Sequence, residues 1–380
     1  VKGEKAQTNQ TGDRTMVRQV ISDYQALSKY QPRVAVIEDN HAQGAKKVVE
    51  RIKKAGAKAM IIPRYLSERL LASQDLSQAD IDRIKNAKSL DEVREFDQEI
   101  ATATRLHLQY ITRKLTFVDA VVLPGNIYDI PPAAYHDTKM DSHTRLAPPM
   151  DARFQTELMM TEYALHTRKI PILGISSGMQ LIVVKTGGKL VQHVDEYDEF
   201  ADKVAAKGKV AGIKTNGATV TLERISAKNK ALLSELSHDV KIVQPKSIIG
   251  VMLSQEKFER INCKRLELLH LHHQAVRPKD INPMELVVTA TTGDNKYVEA
   301  IEHKHHPFCF GVQFHPEYSD ELGQKVISEM VEYARQLKAQ QFDKQAKVPA
   351  YVEMHADEVP EAYQLSEDEW QGTQLNKSIN

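Results

Sequence analysis

Three side chains in this 380-residue chain have the types and the order needed for covalent acyl chemistry. The first is Ser176, inside Gly174-Ile175-Ser176-Ser177-Gly178, a literal G-x-S-x-G. The other two are His315 and Glu317, in Gly311-Val-Gln-Phe-His315-Pro316-Glu317. A hydroxyl becomes a useful nucleophile only when a base is in reach and a third group holds that base in its tautomer. Residues i and i+2 of an extended chain point to the same side, so Glu317 is expected to orient His315 without a separate acid loop. Taken alone, the G-x-S-x-G pattern points to a serine hydrolase, but the hydrolases built on it run in the order Ser, acid, His. Here the acid follows the histidine.

Positioning these groups requires a strand that ends in a sharp turn into a helix. The apolar run before Ser176 reads as a buried strand and the run after it has helical spacing, so Ser176 is pushed outward at the turn. Upstream, VAVIEDN after Pro32, a helical stretch from Ala42 to Ala55, Gly56 and KAMIIP form a β-α-β opening with strands apolar on both faces, as in a covered parallel sheet. Residues 64–117 interrupt the alternation with charged helical sequence; Ser77 to Asp80 and Ser89 to Glu92 resemble helix-starting caps, which predicts at least two helices. Asp119 to Gly125 is the next strand, followed by the turn-rich GNIYDIPPAAY. A helix over Arg153 to Thr167 leads into IPILGIS. Beyond Gly187-Gly188 the pieces VAGIKTNGATVTLERI and KSIIGVML read as short β-like segments with a helix between them. ELVVTATT, YVEAIEH and FCFGVQFHPE read as antiparallel strands with a hairpin, and a helix from Ser319 to about Gln341 closes the compact part. The organisation expected is a lead-in (1–31), one α/β domain (32–341) carrying the helical insert 64–117 and a smaller antiparallel part, and a tail (342–380). That tail has eight acidic residues against three basic ones and the chain's one tryptophan, Trp370. It reads as disordered or partner-binding.

Composition narrows the function. Lys plus Arg and Asp plus Glu both number 51, which gives no bulk electrostatic case for nucleic acid or an anionic membrane. Two cysteines, Cys263 and Cys309, make no disulfide framework and no zinc knuckle, so a reducing compartment is expected. No run approaches about 18 apolar residues, and VKGEKAQTNQTGDRT lacks the apolar centre of a signal peptide. The expectation is a soluble, cytoplasmic protein.

An elbow followed by a His-Pro-Glu at a strand end resembles the class I glutamine amidotransferase-like family, most nearly its γ-glutamyl peptide hydrolases. The matching pieces are PRVAVIEDN, LPGNIYDIPPAAY, DARFQTE, IPILGISSGMQLIVVKTGGKL, LHHQAV and GVQFHPEY, spread in order from Pro32 to Tyr318. The resemblance implies a flavodoxin-like, mostly parallel sheet covered by helices, no cofactor and no metal, and hydrolysis of a γ-glutamyl amide. It implies Ser176 at the nucleophile position, His315 as base and Glu317 as its orienter. It places the oxyanion donors at the backbone of Gly125, Asn126 and Ser177, and substrate contacts at Gln180, His272, His273 and Gln274. Members of that family carry cysteine at the elbow. A thiol titrates near about 8.5 and a histidine partner makes it thiolate at neutral pH, whereas a serine hydroxyl keeps its proton. Ser176 therefore fits an engineered Cys-to-Ser trap, a natural pseudoenzyme or a serine-using variant.

Other residues keep two readings. Gln180, one turn past Ser176, is a substrate contact or a helix cap. Adjacent residues of a regular strand face opposite ways, so only one of His272 and His273 should meet the pocket. Seven of the fifteen histidines fall between His270 and His315, among them His303, His305 and His306; the spacing lacks the carboxylate or thiolate partners of a metal site. Asp151, Arg153 and Glu157 are an exposed ion-pair cluster or part of the site, and Asp129 and Tyr135 shape the pocket mouth or fix its loop. Met159 and Met160 read as core. Partners expected are a small γ-glutamyl substrate and, through the insert or the tail, a protein. The alternatives to hydrolysis are a non-catalytic binder of a γ-glutamyl metabolite or protein, and a glutaminase subunit passing ammonia to a separate synthase.

Overall fold

The computed structural model describes residues 30–38, 43–194, 213–216, 219–222, 240–254 and 272–345. The readings of residues 1–29, the helix expected before KSIIGVML, Cys263 and the acidic tail beyond residue 345, with Trp370, fall outside them; residues 342–345 belong to the last helix. The apolar runs form the strands the sequence implied: β1 (Arg33–Ile37), β2 (Lys58–Ile62), β3 (Ala120–Leu123) and β4 (Ile172–Ile175). A separate hairpin pairs β5 (Ile213–Asn216) with β6 (Thr219–Leu222), and β7 (Val240–Ile242), β8 (Leu286–Thr292), β9 (Val298–His303) and β10 (Cys309–Val312) complete the set. The main sheet has eight strands in the order β2-β1-β3-β4-β10-β9-β8-β7. Its first five are parallel, and β9, β8 and β7 continue it antiparallel. The fold is thus a mostly parallel, mixed α/β sheet.

The strands alternate between two cores, as a period of two requires. Val34, Val36, Leu173, Ile175, Phe310 and Val312 face one core; Ala35, Val121, Leu123, Ile172 and Cys309 face the other. The first core is covered by helix α1 (Gln43–Lys54), through Val48 and Ile52, and by the closing helix, through Val326 and Met330. The insert forms α2 (Glu68–Ala72), α3 (Gln78–Asn86), a 3-10 stretch (Leu90–Phe96) and α4 (Asp97–Leu115). Ser77 and Asp80 make the reciprocal capping box expected at α3, whereas Ser89 makes no side-chain cap. Leu70, Leu71, Ile81, Ile84 and Val93 give the insert its own core, which closes on Met150 and Ala152. The helix expected over Arg153 to Thr167 is α5 (Arg153–Glu162) continued by a wide turn (Tyr163–Thr167). It precedes β4 and α6 (Ser177–Lys185).

One expectation fails. KSIIGVML is not β-like: Ile248–Ser254 is a helix, α7. Ser247 Oγ accepts from Gly250 N at 3.0 Å and the Glu302 carboxylate accepts from Ile248 N at the helix start. Ile249 and Met252, three apart, are buried while Val251 is exposed. The run of apolar residues hid a three-residue spacing that only the capping contacts resolve. The last helix, α8, spans Asp320–Gln345. Among the described residues no helix is long and apolar enough to cross a membrane.

Candidate active site

Register brings the distant motifs together. β4 and β10 lie side by side with Gly174 opposite Gly311 and Ile175 opposite Val312, and Ser176 N donates to Val312 O at 2.7 Å. The residue after β4 therefore lies beside the segment that leads to His315. Ser176 has φ 54° and ψ −113°, a backbone state costly for any residue with a side chain. What holds it there is close packing. A Cβ on Gly178 would fall 2.2 Å from Leu123 O, and one on Gly174 would fall 2.6 Å from the Gly178 backbone. The two glycines of G-x-S-x-G are thus required by the approach of β3, β4 and α6.

His315 Nδ1 and Glu317 Oε1 are 2.8 Å apart and both residues are buried. A carboxylate only accepts, so Nδ1 carries the proton and Nε2 is left as an acceptor. The pairing is present, but the reason expected for it is not. Pro316–Tyr318 is a 3-10 turn rather than extended chain, and it curls Glu317 back beneath the ring. Buried Arg51 of α1 clamps this turn, donating to Glu317 O at 2.9 and 3.1 Å and to Asp320 O and Oδ1 at 3.1 Å each. That bond holds the Asp320 carboxyl below its ordinary range. His315 and Ser176 meet at Gly125, where a Cβ would fall 2.7 Å from His315 Cε1 and 3.4 Å from Ser176 Cβ.

A small cleft of about 30 Å³ lies beside this point, on the Ser176 side. It is lined by Asn126, Tyr128 and Asp129 from the loop, by Ser176, Ser177 and Gln180 from the elbow, and by His272, His273 and Gln274. Both histidines line the cleft because residues 272–274 form no regular strand; the isolated bridge of Val191 to Ala275 comes just after them. Strand alternation does not apply to them. His272 Nδ1 lies 2.7 Å from Gln274 O. Gln180 does not cap α6; its Nε2 donates to Gln274 O at 2.8 Å and Gln313 Oε1 at 3.0 Å. Gln274 in turn accepts from Ile130 N.

From the cleft a row of imidazoles runs outward. His273 Nε2 is 3.0 Å from Asp129, its Nδ1 is 3.3 Å from His193 Nδ1, and His193 stacks on His143 at 3.9 Å. His143 bonds Asp141, whose carboxyl is held low by the His143 backbone and ring. Asp129 thus both lines the mouth and fixes its loop, accepting from Arg145 N at 2.7 Å. Tyr135 is buried away from the cleft wall, and burial raises its phenol.

Asp151, Arg153 and Glu157 are not an exposed cluster: they are 5%, 0% and 4% exposed. Burial raises the Glu157 carboxyl, and Arg153 partly opposes the shift. His303, His305 and His306 gather where β9 ends, at the opposite end of the strands from His315, since β9 and β10 are antiparallel. Burial pulls His306 down to about 4. Among the described residues no three His, Cys, Asp or Glu side chains are placed to hold a metal. Cys309 is buried in β10 with its thiol pushed up by burial, far from a reactive state. Met160 is core and Met159 is packed against it. Sequence reasoning missed Arg51, Arg64, His193 and Gln313; the groups their side chains reach lie up to 269 residues away, and no local signal marks them.

These features define a class, the open α/β fold with a strained elbow at the carboxyl end of a parallel strand. The Peptidase C26 family profile matches residues 99–317, more than half of the chain, and the chain belongs to that family. It is 30% identical over 222 residues to a protein of Rickettsia prowazekii named as glutamine amidotransferase-like, a match covering 56% of this chain and 75% of the relative. It is 27% identical over 202 residues to the γ-glutamyl-γ-aminobutyrate hydrolase of Escherichia coli K12, covering 53% and 65%. It is 29% identical over 174 residues to a Campylobacter jejuni CTP synthase, covering 40% of this chain but 28% of that enzyme.

Proposed function

We propose that the chain is an amide hydrolase of the glutamine amidotransferase-like class whose substrate carries a γ-glutamyl amide. The observation that carries this reading is the meeting of an elbow side chain and a carboxylate-tied imidazole around Gly125. The similarity to a γ-glutamyl-γ-aminobutyrate hydrolase supports the choice of bond.

In this mechanism the side chain at 176 attacks the γ-carbonyl while His315 Nε2 takes its proton. Glu317 stabilises the imidazolium that results. The carbonyl oxygen gains charge and is received by the N–H groups of Ser177, at the start of α6, and of Gly125 and Asn126. Collapse expels the amine, which takes the proton from His315, and leaves a γ-glutamyl ester or thioester on residue 176. Water, deprotonated by His315, then releases glutamate. Gln180, His272, His273 and Gln274 bind the glutamyl part.

With serine at 176 the attacking group stays protonated, and attack is slow or stalled. The test is to assay the given chain and Ser176→Cys with a panel of γ-glutamyl amides. Glutamate release by the cysteine form, at least roughly 100-fold above the serine form, is expected. Equal release by both forms makes serine the working nucleophile. Release by neither leaves a non-catalytic binder of γ-glutamyl compounds. A further reading draws on the similarity to CTP synthase: ammonia release only on mixing with a synthase assigns the chain as a glutaminase subunit.

A further inference from the structure

The loop that carries two of the three oxyanion donors has no regular structure of its own, yet one side chain grips it. Arg153 Nη2 donates to Pro124 O at 2.8 Å and to Gly125 O at 2.9 Å. These two carbonyls belong to the peptide planes whose N–H groups are those of Gly125 and Asn126. In a trans peptide the C=O and N–H point in opposite directions. A guanidinium that draws both carbonyls to one side therefore turns both N–H groups to the other. Neither amide donates to another backbone group among the described residues. Ser176 and His315 lie against the same Gly125.

Arg153 is held from three directions. Its Nε donates to Glu157 at 2.9 Å, its own backbone N–H donates to Asp151 at 3.0 Å, and Asp151 receives two bonds from Arg64. Arg64 and Arg153 are both fully buried. Two guanidinium groups face two carboxylates, so the buried charge balances, which such a network needs if it is not to be strongly destabilising. Arg64 opens the insert segment, and its carbonyl accepts from Ala152 N at 2.8 Å. The insert's first residue is thus part of the clamp.

We infer that Arg153 is a positioning residue that aims the Gly125 and Asn126 N–H groups at the reacting carbonyl oxygen, with Arg64 and Asp151 locking it in place. It does not touch substrate; it acts through the loop. The inference rests on the hydrolysis reading for its kinetic consequence, though not for its geometry.

The experiment uses the full chain with two replacements, Arg153→Lys and the pair Arg153→Met with Glu157→Gln, the second removing both charges so that none is stranded. In the Ser176→Cys background, the paired variant is expected to lower kcat roughly 100-fold with KM little changed. Lysine, with one compact donor centre, is expected to recover part of that loss. In parallel, amide NMR of the serine form is expected to show the Gly125 and Asn126 signals displaced in both variants and the Ser177 signal unmoved. Unchanged kcat in a folded variant, or a rise in KM alone, overturns the inference. So do Gly125 and Asn126 amides that ignore Arg153. If no form turns over any γ-glutamyl amide, the hydrolysis reading fails, and the amide signals alone decide whether Arg153 aims the loop.

Discussion

The two walls that face each other across Gly125 are held by opposite means. On the elbow side α6 is buried from Ser177 to Val184, and the strained backbone of Ser176 is kept in place by Gly178 packed against Leu123 O and Gly174 packed against Gly178. On the loop side Pro124 and Gly125 are held by a buried guanidinium, itself held by carboxylates. The glycine contacts of the steric wall carry no charge to titrate and leave no room for a methyl group. The ionic wall has room to relax, but it fails if its charges stop balancing. A difference of this kind predicts which changes each wall will tolerate.

The largest effect is expected from Arg153→Met alone, which strands Glu157 beside Asp151 and costs about 4 kcal/mol in urea unfolding. Adding Glu157→Gln is expected to return much of it. The loss should also shrink as pH falls, because burial already raises the Glu157 carboxyl and protonation removes the stranded charge. If Glu157→Gln returns nothing, the loop is not held by charge. Next comes Gly178→Ala, expected to cost about 3 kcal/mol through overpacking against Leu123 O. That cost should be the same at pH 5 and pH 8; a pH-dependent cost would erase the contrast between the walls.

The third prediction concerns the insert that backs the ionic wall. His107 of α4 is buried 3.2 Å from Thr156 Oγ1 on α5, and burial lowers its pKa from 6.5 to about 4. Above pH 6.5 both folded and unfolded chains keep it neutral. Between 6.5 and about 4 only the unfolded chain takes up the proton, so stability falls with pH by up to about 3 kcal/mol. His107→Gln should flatten the pH dependence of Tm over that window, and an unaltered slope would show that His107 does not stay neutral. The smallest effect is Ser77→Ala, which removes an exposed capping box far from both walls and costs about 1 kcal/mol. It should leave binding in the cleft unchanged.

Much of the steric wall was readable before any coordinates. The G-x-S-x-G spacing, the apolar strands on both sides of it and the His-Pro-Glu at the end of β10 are local patterns, and local patterns survive in sequence. The insert's helices were legible for the same reason at Ser77, where the cap is four residues long. The ionic wall was read only in part: Asp151, Arg153 and Glu157 stood out as an exposed ion-pair cluster or part of the site, but the arginines that lock Asp151 and the His315 turn did not. Arg51 reaches Glu317 across 266 residues, Arg64 reaches Asp151 across 87, and nothing near either arginine distinguishes a buried clamp from a solvated charge. The misreading of Ile248–Ser254 as β-like has another cause: the helix is short, and its identity comes from contacts of Ser247 and Glu302 at its start. His272 and His273 were assigned to opposite faces on the assumption of a regular strand, which the chain does not form there.

Residue 176, His315 and Glu317 are held to act as one unit, and covalent capture tests this most directly. In Ser176→Cys mixed with a γ-glutamyl amide and quenched rapidly in acid, peptide mass analysis is expected to find the γ-glutamyl group on residue 176. The adduct should be lost when His315→Ala is added. A γ-glutamyl group on any other side chain, or turnover that proceeds undiminished without His315, would contradict the account.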